Sequence, residues 1–251
     1  MRRVVRLDLS SESAQGMERE QARADARRAD RALNVEAAWR RARRNKPLRE
    51  ACDTLRAMAG NRERCMYCGD AHGSDIDHFW PKAPYPERMF RWPNMLLCCA
   101  ECGRIKGTQF PLSDGQAILI DPTVDDPWLF LDFDPQTGNI VPRYDSKREA
   151  YILRGEQTVA ILQFDRREAM ARGYQRTFRR ITRRVEAALT QQHPDAAALL
   201  HDLGEADDHG LLGWCFDGLG RHVAPFDAPF DELRARHPTV WEACRQGYRQ
   251  L

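Results

Sequence analysis

Five of the eight cysteines fall between residues 65 and 102. Four of them make two pairs, Cys65-Met66-Tyr67-Cys68 and Cys99-Ala100-Glu101-Cys102, with 30 residues between the pairs. Two intervening residues let both thiolates of a pair reach one ion from a tight turn. Two such turns complete a tetrahedral all-sulfur site. The spacing therefore predicts a structural Zn2+ on Cys65, Cys68, Cys99 and Cys102. A four-thiolate site keeps no open position for substrate, so this metal would clamp the ends of the intervening segment and do no chemistry itself. Cys98 has the wrong spacing to Cys102 and reads as a small buried side chain.

The framed segment holds Ser74-Asp75-Ile76-Asp77-His78-Phe79-Trp80-Pro81-Lys82, then Trp92-Pro93-Asn94-Met95-Leu96-Leu97. Gly103-Arg104-Ile105-Lys106-Gly107 follows the second pair and reads as a short helix. These residue types suit phosphodiester hydrolysis. A neutral imidazole can take a water proton near pH 7. A divalent ion on a carboxylate can stabilise the leaving oxygen. An ammonium such as Lys106 or Lys82 can ground a phosphate as a point charge. On an extended strand Asp75 and Asp77 share one face and His78 points to the other. A bend or bulge is therefore needed if Asp77 and His78 are to serve one phosphate. An Asp-His pair alone is commonly a buried, carboxylate-paired histidine; the cysteine frame favours the catalytic reading.

These residues resemble those of the HNH endonucleases. The resemblance implies a ββα unit in which a strand carries an acid-His pair, a loop carries an Asn and a helix closes a metal site. Many members brace that unit with a four-cysteine zinc. By the resemblance, His78 is the general base and Asp77 a ligand of a catalytic Mg2+ or Mn2+. Asn94 positions the backbone around His78. Asp75-Ile76-Asp77-His78 also resembles the Asp-x-Asp-His strand in the HNH domain of the RNA-guided CRISPR nucleases. One position departs from the pattern. The residue after the last knuckle cysteine is usually Asn or His in this class, and it gives the metal its second protein ligand; here it is Gly103. Asp75, Glu101 or water would have to replace that ligand, or the site is weak or dead.

A longer stretch is similar to the HNH subunit (PtuB) of Septu anti-phage systems and related retron modules. It comprises Asp77-His78-Phe79-x-Pro81-Lys82, Trp92-x-Asn94-x-Leu96, Cys99-x-x-Cys102 and Lys106-Gly107-x-x-Phe110-Pro111. Leu119-Ile120-Asp121-Pro122-x-x-Asp125-Asp126-Pro127 and Gly155-Glu156-Gln157-Thr158-Val159-x-x-Leu162 extend it, so that it covers residues 45 to 190. This likeness implies an SMC/ABC-like ATPase partner that controls the nuclease.

The elements that must position these residues are legible in outline. Leu48, Ala51, Leu55 and Met58 repeat at helical spacing before Gly60, which can stop the helix. Residues 10 to 45 are charged, Ala- and Arg-rich, and read as a solvated helix. Their sharpest run, Arg40-Arg41-Ala42-Arg43-Arg44-Asn45-Lys46, is a solvated face or a phosphate-contacting arm. Residues 113 to 145 are rich in Asp, Pro and Gly and predict short strands and turns, with Ile118-Leu119-Ile120 as one strand. A long helix follows. Asp165 and Glu168 form a candidate capping box. Met170, Tyr174, Phe178, Ile181, Val185 and Leu189 fall on one core-facing stripe. The opposite face holds Arg172, Arg176, Arg179, Arg180, Arg183 and Arg184, a solvated face or a nucleic-acid contact.

Net charge is only +2, and 30% of the residues are charged against 42% hydrophobic, a globular composition. Only four of the 39 Lys+Arg residues are lysines, and two of those, Lys82 and Lys106, lie in the motif region. No apolar run is long enough to span a membrane. The N-terminus has no signal-peptide pattern, which predicts a cytoplasmic chain. His193, His201, His209, His222 and His237 have no ligand spacing and receive no role.

The expected architecture is α+β: a ββα-metal HNH core with a structural zinc knuckle, embedded in a mainly α-helical chain. It divides as an N-terminal helical region (1–60), the nuclease core (61–112), and a C-terminal strand/turn segment followed by helices (113–251). The expected function is a metal-dependent endonuclease hydrolysing phosphodiester bonds of DNA, with RNA possible, as effector of an anti-phage system. The alternative is a catalytically weak or inactive zinc module that binds nucleic acid or scaffolds a partner.

Overall fold

The computed structural model describes residues 1–222, 224 and 227–250, the side chains of Arg221, His222 and Gln250 excepted. His222 thus lies outside the described side chains. The chain is mixed, about 52% helical with small two-stranded sheets, so the α+β expectation holds. It divides into two compact units. One comprises Val4–Tyr67 and Ala71–Val124; the other comprises Met1–Arg3, Cys68–Asp70 and Asp125–Leu251.

The first unit opens with α1 (Ser11–Ala29), α2 (Val35–Ala42) and α3 (Lys46–Met58). The buried residues of α3 are Leu48, Ala51, Leu55 and Met58, the four that the helical spacing selects. Gly60, at φ +80°, follows its end. Sequence reading underestimates α1. It is not merely solvated: it buries Ser13, Gly16, Met17, Glu20, Gln21 and Ala24. The interface uses small and polar residues, which carry no amphipathic signature. At Gly16 an added Cβ would meet Pro47 Cγ at 2.3 Å, so only glycine lets α1 and α3 approach this closely.

The strand pair β1 (Asp75–His78) and β2 (Met95–Cys98) follows, then α4 (Ala100–Lys106) and the short hairpin β3 (Leu112–Ser113) and β4 (Gln116–Ala117). β1 and β2 are antiparallel in unbroken register, with Asp75 opposite Cys98, Asp77 opposite Leu96 and His78 opposite Met95. Gln21 of α1 donates to Pro86 O at 3.0 Å and accepts from Phe90 N at 2.8 Å, pinning the loop that joins the two strands. Ile118-Leu119-Ile120 is not a strand; Leu119 and Ile120 are core residues held in a loop. Apolar runs of three cannot distinguish these two fates.

In the second unit β5 (Leu131–Phe133) pairs with β6 (Ile140–Pro142), and β7 (Tyr144–Asp145) with β8 (Ala150–Tyr151). Helices α5 (Leu153–Leu162), α6 (Glu168–Leu189), α7 (Ala196–Ala206), α8 (Leu212–Phe216), α9 (Ala228–Arg236) and α10 (Pro238–Gly247) complete it. The whole apolar stripe of α6 is buried, from Met170 to Leu189. Its start differs from the capping-box expectation. The N-cap is Arg167, which makes no side-chain cap bond, so Asp165 sits too far upstream to cap.

Candidate functional site

The two C-x-x-C turns converge. The ligand atoms of Cys65, Cys68, Cys99 and Cys102 lie within 4.8 Å of one another, and all four residues are buried. A zinc ion about 2.3 Å from each sulfur sets neighbouring sulfurs about 3.8 Å apart, so the donor set and its compactness fit Zn2+. Local bonds build the site. Cys65 N donates to Ala71 O at 2.8 Å, and Met66 N to Leu97 O at 2.9 Å, which ties the first turn to β2. Cys99 is the N-cap of α4, its sulfur accepting from Cys102 N at 3.4 Å. The same side chain thus starts the helix and joins the cluster. Cys98 is buried and stands outside the cluster.

At the other end of α4, Lys106 is fully buried. Its Nζ lies 2.9 Å from Asp77 Oδ2 and donates to His78 O at 2.7 Å. Tyr67 Oη also donates to Asp77 Oδ2, at 2.6 Å. Burial, together with Asp77, pushes the Tyr67 phenol well above its ordinary range. Asp77 itself remains at the rim, its side chain 14% exposed. Lys106 therefore faces inward, bolting α4 to β1, with its ammonium covered by protein.

His78 is buried on the opposite face of β1. Its ring meets Trp39 edge-on at 4.4 Å between centroids. His78 Nε2 lies 2.9 Å from Met89 O. A carbonyl only accepts, so this partner assigns the proton to Nε2 and leaves Nδ1 as the acceptor. Burial lowers the His78 pKa to about 3, so the ring is neutral at physiological pH. The strand has no bulge, and the Asp77 carboxylate and His78 imidazole project from opposite faces. What they share is Lys106.

Asn94 closes the loop after β1. Its Oδ1 accepts from Trp80 N at 2.7 Å, and its Nδ2 donates to Trp80 O and Arg88 O, both at 3.0 Å. Asn94 O accepts from Phe79 N at 2.9 Å. The side chain is thus a clamp on the backbone two residues past His78.

The remaining site residues are engaged elsewhere. Asp75 lies 2.8 Å from Arg43, and Lys82 lies 2.9 Å from Glu36. Glu101 is exposed on α4. A Cβ built on Gly103 would lie 3.3 Å from Cys98 Sγ, so the thiol of Cys98 occupies the neighbourhood of the missing side chain.

Two participants escape sequence reading. Tyr67 is only a spacer inside the first C-x-x-C, and nothing in its position announces a bond to Asp77. Arg6 is distant in sequence, yet it donates to Trp92 O and Met95 O, each at 3.1 Å, and to Thr123 Oγ1 at 2.9 Å. It holds the segment that carries Asn94.

With this geometry in view, the chain is similar to two curated sequences. It is 28% identical over 113 residues to Septu protein PtuB of Bacillus thuringiensis, covering 43% of this chain and 38% of that protein. It is 30% identical over 108 residues to Protein ea31 of Escherichia phage lambda, covering 40% of this chain and 36% of that protein. The chain therefore spans well under half the length of either relative. No family model matches, and no solved structure matches. The similarity is distant, to a protein named for a Septu system, in a chain whose four-cysteine cluster can bind zinc.

Proposed function

We propose that this chain is an HNH-type endonuclease that hydrolyses phosphodiester bonds of DNA as the effector of an anti-phage system, with an SMC/ABC-like ATPase as partner. One observation carries the reading. The Asp77–His78 strand is braced at both ends of one short helix, by Cys99 and Cys102 in the cluster and by Lys106 on Asp77 and His78 O. The Asn94 clamp on Trp80 adds to it. The distant similarity to PtuB points the same way.

In this reading His78 Nδ1 would take the proton from water, Met89 O holding the proton on Nε2, which requires β1 to bend so that the buried ring and the Asp77 carboxylate face one phosphate. Trp39 and Asn94 fix the ring and its loop. Asp77 would hold a divalent ion, Mg2+ or Mn2+, which supplies Lewis acidity toward the leaving oxygen. One carboxylate meets the minimum for Mg2+, which commonly keeps waters and substrate phosphates as its other ligands. The fit is minimal because Oδ2 already receives Tyr67 and Lys106. Lys106, with no exposed surface, holds the strand and does not reach a phosphate.

A second reading has its own observation. Gly103 offers no ligand, and Asp77 has an internal counter-cation in Lys106. Both favour a catalytically weak zinc module that binds nucleic acid or scaffolds a partner. Incubation of the pure protein with plasmid and Mg2+ or Mn2+ separates the two. The nuclease reading expects nicking that His78→Ala and Asp77→Ala abolish. Absence of cleavage with either ion, even with the ATPase added, leaves the second reading standing.

A further inference from the structure

Six arginines, Arg172, Arg176, Arg179, Arg180, Arg183 and Arg184, are exposed along α6. Two are drawn aside by neighbouring carboxylates: Arg180 pairs with Asp208, and Arg184 lies 3.8 Å from Asp202. The other four recur at i, i+4, i+7 and i+11, which makes a straight stripe along the helix. Arg172 is 3.7 Å from Glu168, both well exposed. Among the described residues, Arg176, Arg179 and Arg183 have no carboxylate within ion-pair distance.

The stripe is a local feature and does not reflect bulk charge. Residues 125–251 carry 17 Arg and Lys against 20 Asp and Glu, a net of −3, whereas α6 carries six Arg and two Glu, a net of +4. Several surface cations elsewhere are matched, although among the described residues Arg40 and Arg44 of the other basic run are exposed without an ion pair. In that run Arg41 meets Glu20 at 3.6 Å, Arg43 meets Asp75 at 2.8 Å and Lys46 meets Glu12 at 2.6 Å. On α9, Arg234 and Arg236 pair with Asp231 and Glu232. Like charges at i,i+3 and i,i+4 destabilise a helix. The α6 stripe keeps three such contacts in a row, between Arg172 and Arg176, Arg176 and Arg179, and Arg179 and Arg183. A polyanion laid along the stripe would relieve that repulsion.

We propose that the outward face of α6 is a track for the phosphodiester backbone of a nucleic acid. The span from Arg172 to Arg183 rises about 16 Å. One duplex strand carries about five phosphates over that length, at roughly 3.4 Å each. Guanidinium forks bind phosphate in bidentate fashion. The opposite face is anchored by Tyr174, Phe178, Ile181 and Val185, so the track is a stiff rod. The inference rests on the nuclease reading only for the nature of the polyanion, and needs no cleavage.

The test is fluorescence anisotropy of the full zinc-loaded chain with labelled duplex DNA, single-stranded DNA and RNA, over roughly 50 to 200 mM salt. The variant is Arg176→Gln/Arg179→Gln/Arg183→Gln. The control, Arg23→Gln/Arg28→Gln/Arg236→Gln, removes the same charge from paired arginines. Each phosphate contact contributes about 0.9 to the salt slope, so the α6 triple should lower the slope by about 2.7 and weaken binding roughly tenfold or more at about 100 mM. The control and an Arg→Lys triple on α6 should stay within about twofold of wild type. Thermal melting confirms that the variants fold. The inference is overturned if both Gln triples weaken binding equally, if the α6 triple binds like wild type, or if wild type binds none of the three probes. Binding that depends on α6 without cleavage sinks the nuclease reading alone; cleavage with binding indifferent to α6 sinks this inference alone.

Discussion

The two ends of α4 solve one electrostatic problem in opposite ways. At its start, four sulfurs gather within 4.8 Å of one another. At its end, a single carboxylate receives a lysine and a tyrosine from the protein itself. A cluster of like donors is stable as thiolates only with a cation supplied from outside the chain. Asp77 is neutralised from within. The helix thus joins a metal-dependent brace to a metal-independent one. The difference shows how one short helix can hold β1 through a metal site at one end and through an internal ion pair at the other.

The sharpest way to break this contrast is to remove the cation at the first end. Cys65→Ser/Cys99→Ser, or a strong chelator, should release close to one zinc per chain and unfold the segment from Cys65 to Gly107. Four-thiolate sites contribute on the order of 10 kcal/mol to folding. Metal analysis with hydrogen exchange on β1 and β2 reads the result; unchanged protection without metal would show that the brace does not depend on it. Next in size is Lys106→Met, which strands the little-exposed Asp77 carboxylate and should cost about 3–5 kcal/mol in urea unfolding. Adding Asp77→Leu should restore most of that. If the double variant is as unstable as the single, packing and not charge holds this end.

Asn94→Ala leaves Trp80 N, Trp80 O and Arg88 O without their partner and should cost about 2–3 kcal/mol. An equal loss in Asn94→Asp would sharpen the point, since the amide donor is what Trp80 O and Arg88 O require. The smallest effect separates acid loss of metal from ordinary titration. His209, buried against Asp70 at 3.0 Å and Thr177 at 2.7 Å, has its pKa lowered chiefly by burial. The unfolded chain takes a proton there near pH 6.5 while the folded chain does not. Stability is therefore complete above that pH and falls as the pH drops, by at most about 1.4 kcal/mol per unit. His209→Gln should flatten the urea midpoint between pH 6.5 and 5 without changing zinc content. A slope identical to wild type would assign the acid sensitivity to other groups.

How much of this was legible beforehand follows from the kind of signal each residue leaves. Fixed local spacing carried the cysteine pairs, and helical periodicity carried Leu48 to Met58 and the stripe of α6. The role of Asn94 as a backbone clamp was readable through family resemblance. Sequence left no trace of contacts made by isolated side chains across long separations, such as Tyr67 with Asp77 or Arg6 with the Asn94 loop. The inward turn of Lys106 was equally invisible, because a lysine near a phosphate site reads as solvent-facing by type. The solvated reading of α1 failed because Gly16, Ser13 and Gln21 bury without hydrophobicity.

Cys99 couples the cysteine cluster to the start of α4. The seven residues of α4 are too few to hold a helix on their own, and the sulfur that caps their first turn belongs to the cluster. With zinc in the cluster, metal uptake and helix nucleation would be one event, which would then bring Lys106, the last residue of α4, into register with Asp77. The refolding rate of this segment should therefore rise with zinc concentration until chain closure becomes limiting.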